Sequence, residues 1–121
     1  MKPEIKRSGE APEFPSVERC SIAEIANDSG DELASIARAR VGPNTTTAWH
    51  RLGGITERYI VASGRGRVEI GDLEPADVLE GDVVRIPPGT RQRITNTGTS
   101  DLILYCVCTP RYEDRYYERL E

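Results

Sequence analysis

The chain has 121 residues, a net charge of −4 and three cysteines. This length predicts one domain, and the acidic balance argues against nucleic-acid binding, which requires a basic patch. The first eighteen residues contain no apolar run that could act as a signal peptide or membrane span. An odd number of cysteines is typical of a reducing compartment, so the expected location is the cytoplasm, without a membrane partner.

Short β-branched and apolar runs separated by Gly and Pro dominate the sequence from residue 33 onward. Residues 1–32 are predicted to be an N-terminal arm with short elements. Residues 17–26 are compatible with a strand followed by a helical turn, but the pattern is too short to decide. Strands are predicted over residues 33–41, 45–52, 55–62, 67–70, 78–79, 83–86, 91–96 and 102–109. In the tail, residues 111–121, the helical spacing of Tyr112, Tyr116 and Leu120 predicts a short C-terminal helix.

About eight short strands with regular turns predict an all-β sandwich or barrel. Such folds leave strand edges that must be closed, covered or paired. Exposed edges near the N-terminal arm therefore favour a homodimer.

The period-two alternation of strands predicts which polar side chains point inward. His50, the single histidine, shares a face with Ala48 and Leu52. Glu57 and Tyr59 share a face of the next strand. Gln92 points to the same side of its strand as Ile94 and Asn96, and we expect these polar residues inside the barrel.

Two stretches carry a family resemblance. Residues 81–96 read GDVVRIPPGTRQRITN and match the pattern G-x5-P-x-G-x2-H-x3-N at Gly81, Pro87, Gly89 and Asn96, with Gln92 in place of the His. Earlier, the positions of the pattern G-x5-H-x-H-x3–4-E-x6-G are occupied by His50, Leu52, Glu57 and Gly64, although the first glycine is displaced. The chain therefore resembles the cupin family over about residues 33–110.

The resemblance implies a double-stranded β-helix, or jelly roll, over residues 33–110, and it also points to a homodimer. Cupins hold one metal with three His and one Glu. Transferred to this chain, the ligand set becomes His50, Glu57 and Gln92, and the mixed nitrogen and oxygen donors suit one divalent Zn, Mn, Fe, Ni or Co. Tyr59 would be the catalytic proton donor.

Two functions remain open at this point. The first is a metal-dependent enzyme acting on a small polar metabolite in the barrel. The alternative is a non-catalytic module that binds a small molecule in a degenerate, metal-free pocket, with His50 and Gln92 as hydrogen-bonded core residues. A buried Glu57 favours a site of some kind, because an unpaired buried carboxylate is costly. Strand phase leaves open whether Cys106 and Cys108 face the cavity.

Overall fold

The computed structural model describes all 121 residues. The fold consists of two antiparallel β-sheets joined by turns and loops. The strands are β1 Glu13–Pro15, β2 Ser21–Ala26, β3 Ser35–Val41, β4 His50–Leu52, β5 Thr56–Ser63, β6 Arg65–Ile70, β7 Ala76–Leu79, β8 Val83–Ile86, β9 Gln92–Asn96, β10 Leu102–Thr109 and β11 Tyr117–Arg119. The six-stranded sheet has the order β1-β2-β3-β10-β5-β8, and the five-stranded sheet has the order β11-β4-β9-β6-β7. This is the predicted all-β jelly roll.

The core lies between the sheets. One cluster joins Val61 and Leu104 of the six-stranded sheet to Ile70 and Ile94 of the five-stranded sheet. All four side chains are almost fully buried. Because inward and outward residues alternate along each strand, the same alternation that buries these apolar residues turns His50 and the other predicted polar residues inward.

The turn between β5 and β6 requires glycine. Gly64 has φ +84°, and a Cβ there would lie 2.8 Å from the backbone oxygen of Asp101. A side chain would therefore be disfavoured by both conformation and space. Glycine thus allows the end of β5 to lie against the start of β10, next to a register shift between Ile103 and Leu104.

The N-terminal region contributes to the barrel. Residues 17–20 form a turn and β2 follows it, which decides the pattern that the sequence left open. The backbone pairing of β2 with β3 explains the extended conformation. β1 lies at the sheet edge, is three residues long and ends at Pro15. Short length and proline both reduce the tendency of an edge strand to pair with another chain. Homodimer formation at this edge stays a prediction.

The tail does not form the predicted helix. It forms a 3₁₀ turn, Asp114–Tyr116, followed by β11, which pairs with β4. A helix of about ten residues is marginal in water, whereas the β4 edge supplies hydrogen bonds such as Leu120 N–H to Trp49 O at 2.9 Å. The other helical segment is the 3₁₀ turn Ser8–Glu10, and no helix is long and apolar enough to cross a membrane.

Candidate functional site

A cavity of about 440 Å³ opens between the two sheets. Fifteen of its 24 lining residues are hydrophobic. The N-terminal segment Phe14–Glu18 and the tail residues Tyr112 and Asp114 form part of its wall. Phe14, Val17 and Asp114 are exposed, so the cavity opens to solvent between the N-terminal segment and the tail.

The strands place the predicted site residues in the interior from both sheets. His50 on β4 and Gln92 on β9 are register partners in the five-stranded sheet. Glu57 and Tyr59 on β5 come from the opposite sheet. All four are buried, with 8% exposure for Glu57 and less for the others.

The Tyr59 hydroxyl donates a hydrogen bond to Gln92 Oε1 and so joins the two sheets. Burial raises the pKa of Tyr59 well above its ordinary value, and the charge of Glu57 raises it further. The phenol therefore keeps its proton at neutral pH, and its hydrogen is directed to the amide oxygen. In this geometry Tyr59 orients Gln92, and its role in proton transfer stays a prediction.

Tyr59→Phe should lower the free energy of unfolding by about 1–3 kcal/mol, because Gln92 Oε1 would lose its donor inside the barrel. Tyr105→Phe is the matched control, since Tyr105 lies on β10 and is only half-buried. Urea unfolding of the three proteins checks the prediction. Equal losses in both variants would show that the Tyr59 hydrogen bond contributes nothing specific.

His50 is held by hydrogen bonds at both ring nitrogens. Nδ1 lies 2.9 Å from Ala48 O, and because a carbonyl can only accept, Nδ1 carries a proton. Nε2 lies 3.0 Å from Glu18 Oε1. Burial lowers the pKa of His50, but the hydrogen bond and charge of Glu18 outweigh it, and the pKa is raised overall. When its imidazole is protonated, His50 therefore forms a hydrogen-bonded ion pair with Glu18, and both residues line the cavity.

Glu18 is a site residue that the sequence patterns did not reveal. It lies in the turn before β2, where Arg19 adopts φ +67°. Arg19 points away and binds Glu121 at 2.6 Å, while Glu18 faces His50. Glu18 lies in a polar turn, 32 positions before His50 in the sequence, so no strand or helix periodicity links the two residues.

Tyr117 of β11 is a second residue that the sequence did not indicate. Its ring stacks on the His50 ring at a centroid distance of 5.2 Å and an interplanar angle of 21°. Its hydroxyl is buried without a hydrogen-bond partner. The stacking fixes the plane of the imidazole and narrows the cavity on that side.

Glu57 combines burial with an unsatisfied oxygen. Cys108 Sγ lies 3.7 Å from Oε2 and donates to it, whereas Oε1 has no hydrogen-bond partner. Burial raises the pKa of Glu57 to about 7, although the nearby His50 charge, the Gln92 amide and the Cys108 thiol oppose the rise. The carboxyl is therefore partly protonated at neutral pH, which is the condition that general acid–base catalysis favours.

Cys106 and Cys108 both line the cavity, which resolves the face that strand phase left open. Burial raises the pKa of each thiol, and the Glu57 charge raises it further. A protonated, buried thiol is a poor nucleophile. The two cysteines act as small, weakly polar wall residues.

The predicted metal ligands do not fit a resident transition metal in this arrangement. Such a metal needs three or four convergent donors. His50 Nε2 faces Glu18, Gln92 Oε1 accepts from Tyr59, and Leu52 packs with Ile55 where cupins have another His. No three His, Cys, Asp or Glu side chains converge closely enough to hold a metal ion.

The fold and site define a small jelly-roll protein with a buried, partly polar cavity. The family model described as "Cupin domain" matches residues 37–108. The chain belongs to the cupin family, as the sequence resemblance predicts.

Known proteins support the same fold. An uncharacterised protein of Methanocaldococcus jannaschii, MJ1618, is 34% identical over 87 residues, which cover 72% of this chain and 69% of that protein. A tyrosine-to-phenylalanine variant of the Streptomyces protein Pac13, solved with uridine, superposes with a TM-score of 0.81 at 16% identity. The match covers 100% of this chain and 93% of the Pac13 chain. A predicted oxalate decarboxylase from Thermotoga maritima has a TM-score of 0.79 at 23% identity. That match covers 88% of this chain and 99% of the Thermotoga protein.

Proposed function

We propose that the protein binds a small molecule in the barrel cavity and transfers protons to and from it. The observation that carries the proposal is Glu57, whose Oε1 lies buried in the cavity wall without a partner. Leaving such an atom unsatisfied costs roughly 1–3 kcal/mol or more. A ligand that supplies the missing hydrogen bond would recover this free energy on binding.

The arrangement suits a two-group acid–base mechanism. Glu57, with a pKa of about 7, takes a proton from the bound molecule in its ionised form. In its protonated form, His50 is paired with Glu18 and donates a proton to a developing or departing oxygen. The products are a neutral Glu57 and a neutral imidazole, and solvent exchange restores both. Isomerisation and elimination of water are the reaction classes that need only these steps.

A structural neighbour shows that an elimination can occur in a protein of this fold. Pac13 is described as a nucleoside dehydratase, and dehydration is an elimination. At 15% identity the likeness concerns the fold alone. Uridine is nevertheless a reasonable member of a first substrate panel.

Solvent isotope exchange tests the proposal across many candidate substrates at once. The protein is incubated in D₂O with a panel of nucleosides, sugars and amines, and mass spectrometry detects deuterium uptake or loss of water. We expect turnover of at least one compound, and a decrease of about 10²–10⁴-fold in Glu57→Gln. Glu74→Gln, an exposed change between β6 and β7, is the matched control. Equal turnover in wild type and Glu57→Gln would overturn the role of Glu57.

Two other functions are outcomes of the same work. Binding without any isotope exchange would favour the non-catalytic binding module. Elemental analysis of untagged protein tests the competing metal hypothesis, in which His50, Glu57 and Gln92 would hold one divalent Zn, Mn, Fe, Ni or Co. A stoichiometric metal would favour that hypothesis over metal-free proton transfer.

A further inference from the structure

The cavity lining has a strong charge asymmetry. Four carboxyl side chains face it, those of Glu18, Glu24, Glu57 and Asp114. No Lys or Arg lines the cavity. The sole cationic candidate is His50, and its charge is already balanced by Glu18 at 3.0 Å.

The arginines near the rim are directed to other partners. Arg19 binds Glu121 at 2.6 Å, and Arg111 binds Glu32 at 3.1 Å. Arg119 donates to Val17 O at 2.8 Å. None of these three arginines lines the cavity. Glu24, Glu57 and Asp114 therefore have no Lys or Arg partner inside it.

The acid groups also influence one another. Burial raises the pKa of Glu57, and the charge of Glu18 raises it further. Burial likewise raises the pKa of Glu24, and the charge of Asp114 adds to the effect. Mutual repulsion of this kind indicates a site where a positive charge would be stabilised and a second negative charge would not.

A second, independent observation points to a ligand. Glu57 is 8% exposed, lines the cavity and leaves Oε1 without a hydrogen-bond donor. Tyr112 and Tyr117 also line the cavity. Aromatic rings beside carboxylates are a common environment for organic cations, because both attract positive charge.

We propose that the ligand is a small organic cation, a protonated amine on an apolar body. The ammonium group would donate to Glu57 Oε1, and the apolar body would contact Leu52, Leu104 and Tyr117. Phosphates and carboxylic acids would be rejected, because no cationic side chain is available to pair with them. This inference rests on the proposed function and names the substrate class of the same cavity.

Three probes with one phenyl body test the charge preference: phenethylamine, 2-phenylethanol and phenylacetate. Their binding to the full-length protein is measured by calorimetry at pH 8, where Glu57 is mostly ionised. We expect phenethylamine to bind at least about tenfold more tightly than the alcohol, with no detectable binding of phenylacetate. Glu57→Gln should abolish the preference for the amine over the alcohol, whereas Glu74→Gln should preserve it.

The outcomes separate this inference from the proposed function. Equal or tighter binding of the alcohol, still dependent on Glu57, would overturn the cation preference and leave a Glu57-centred binding site intact. Tightest binding of phenylacetate would overturn the charge argument itself. If none of the probes binds at about 10 mM, the cation proposal is contradicted. The isotope-exchange experiment then decides the proposed function by itself.

Discussion

Glu57→Gln should make the protein more stable than wild type at pH 8. The pKa of Glu57 is raised from 4.5 to about 7, so between these values the folded state holds a proton that the unfolded state has lost. Wild-type stability therefore falls as pH rises through this window, by about 3 kcal/mol in total, and the loss is complete above the folded pKa. The amide side chain in Glu57→Gln cannot ionise, so the variant does not lose stability as the pH rises through this window.

Urea unfolding at pH 4.5, 6, 7 and 8 measures the effect as the difference between variant and wild type. Taking the difference is necessary because His50 and Glu24 also have raised pKa values and contribute slopes of the same sign. Glu74→Gln controls for the change in net charge. A difference that does not change with pH would show that Glu57 has an ordinary pKa in the folded protein.

Restoring two imidazoles should convert the cavity into a metal site. Leu52→His and Gln92→His place histidines at the two positions where this chain lacks the histidines of the cupin pattern. Without metal, each variant should lose about 1–3 kcal/mol of stability, because a polar ring is buried without a partner. With Zn²⁺ at about 1,000 times its Kd, the double variant should gain about 4 kcal/mol.

Thermal melts with Zn²⁺ and with chelator, together with calorimetric titration, check this result. Affinity should be highest in the double variant, and adding Glu57→Gln should weaken it by removing a charged ligand. The melting temperature of wild type should differ little between Zn²⁺ and chelator. Zn²⁺ affinity in wild type equal to that of the double variant would mean that His50, Glu57 and Gln92 already form a competent site.

Strand phase was sufficient to predict the interior side chains. For each of His50, Glu57 and Gln92, the residue two positions later on the same strand is buried, so local alternation alone fixes its direction. The cupin resemblance added that the three strands converge, which alternation cannot show. The hydrogen bonds of the site, such as Tyr59 to Gln92, follow from how the two sheets pack and were not predictable.

Glu18 and Tyr117 depend on pairing between distant parts of the chain. Glu18 reaches His50 because of the turn at Arg19, where a non-glycine residue has positive φ. Tyr117 reaches His50 because the tail pairs with β4 at Tyr117↔Leu52. The tyrosines of the tail have helical spacing, but the tail does not form a helix. Hydrogen bonds to the edge of β4 stabilise a strand more than a helix of this length could be stabilised on its own.

The titration of the Glu57 carboxyl tests the central claim most directly. Carboxyl-carbon NMR of ¹³C-labelled protein follows each acid with pH, and the Glu57 signal is assigned by its disappearance in Glu57→Gln. We expect this signal to titrate near pH 7, as the raised pKa requires. Titration near the ordinary glutamate value of about 4.3 would contradict the account, because the Glu57 carboxylate would then be too weak a base at neutral pH for the proposed proton transfer.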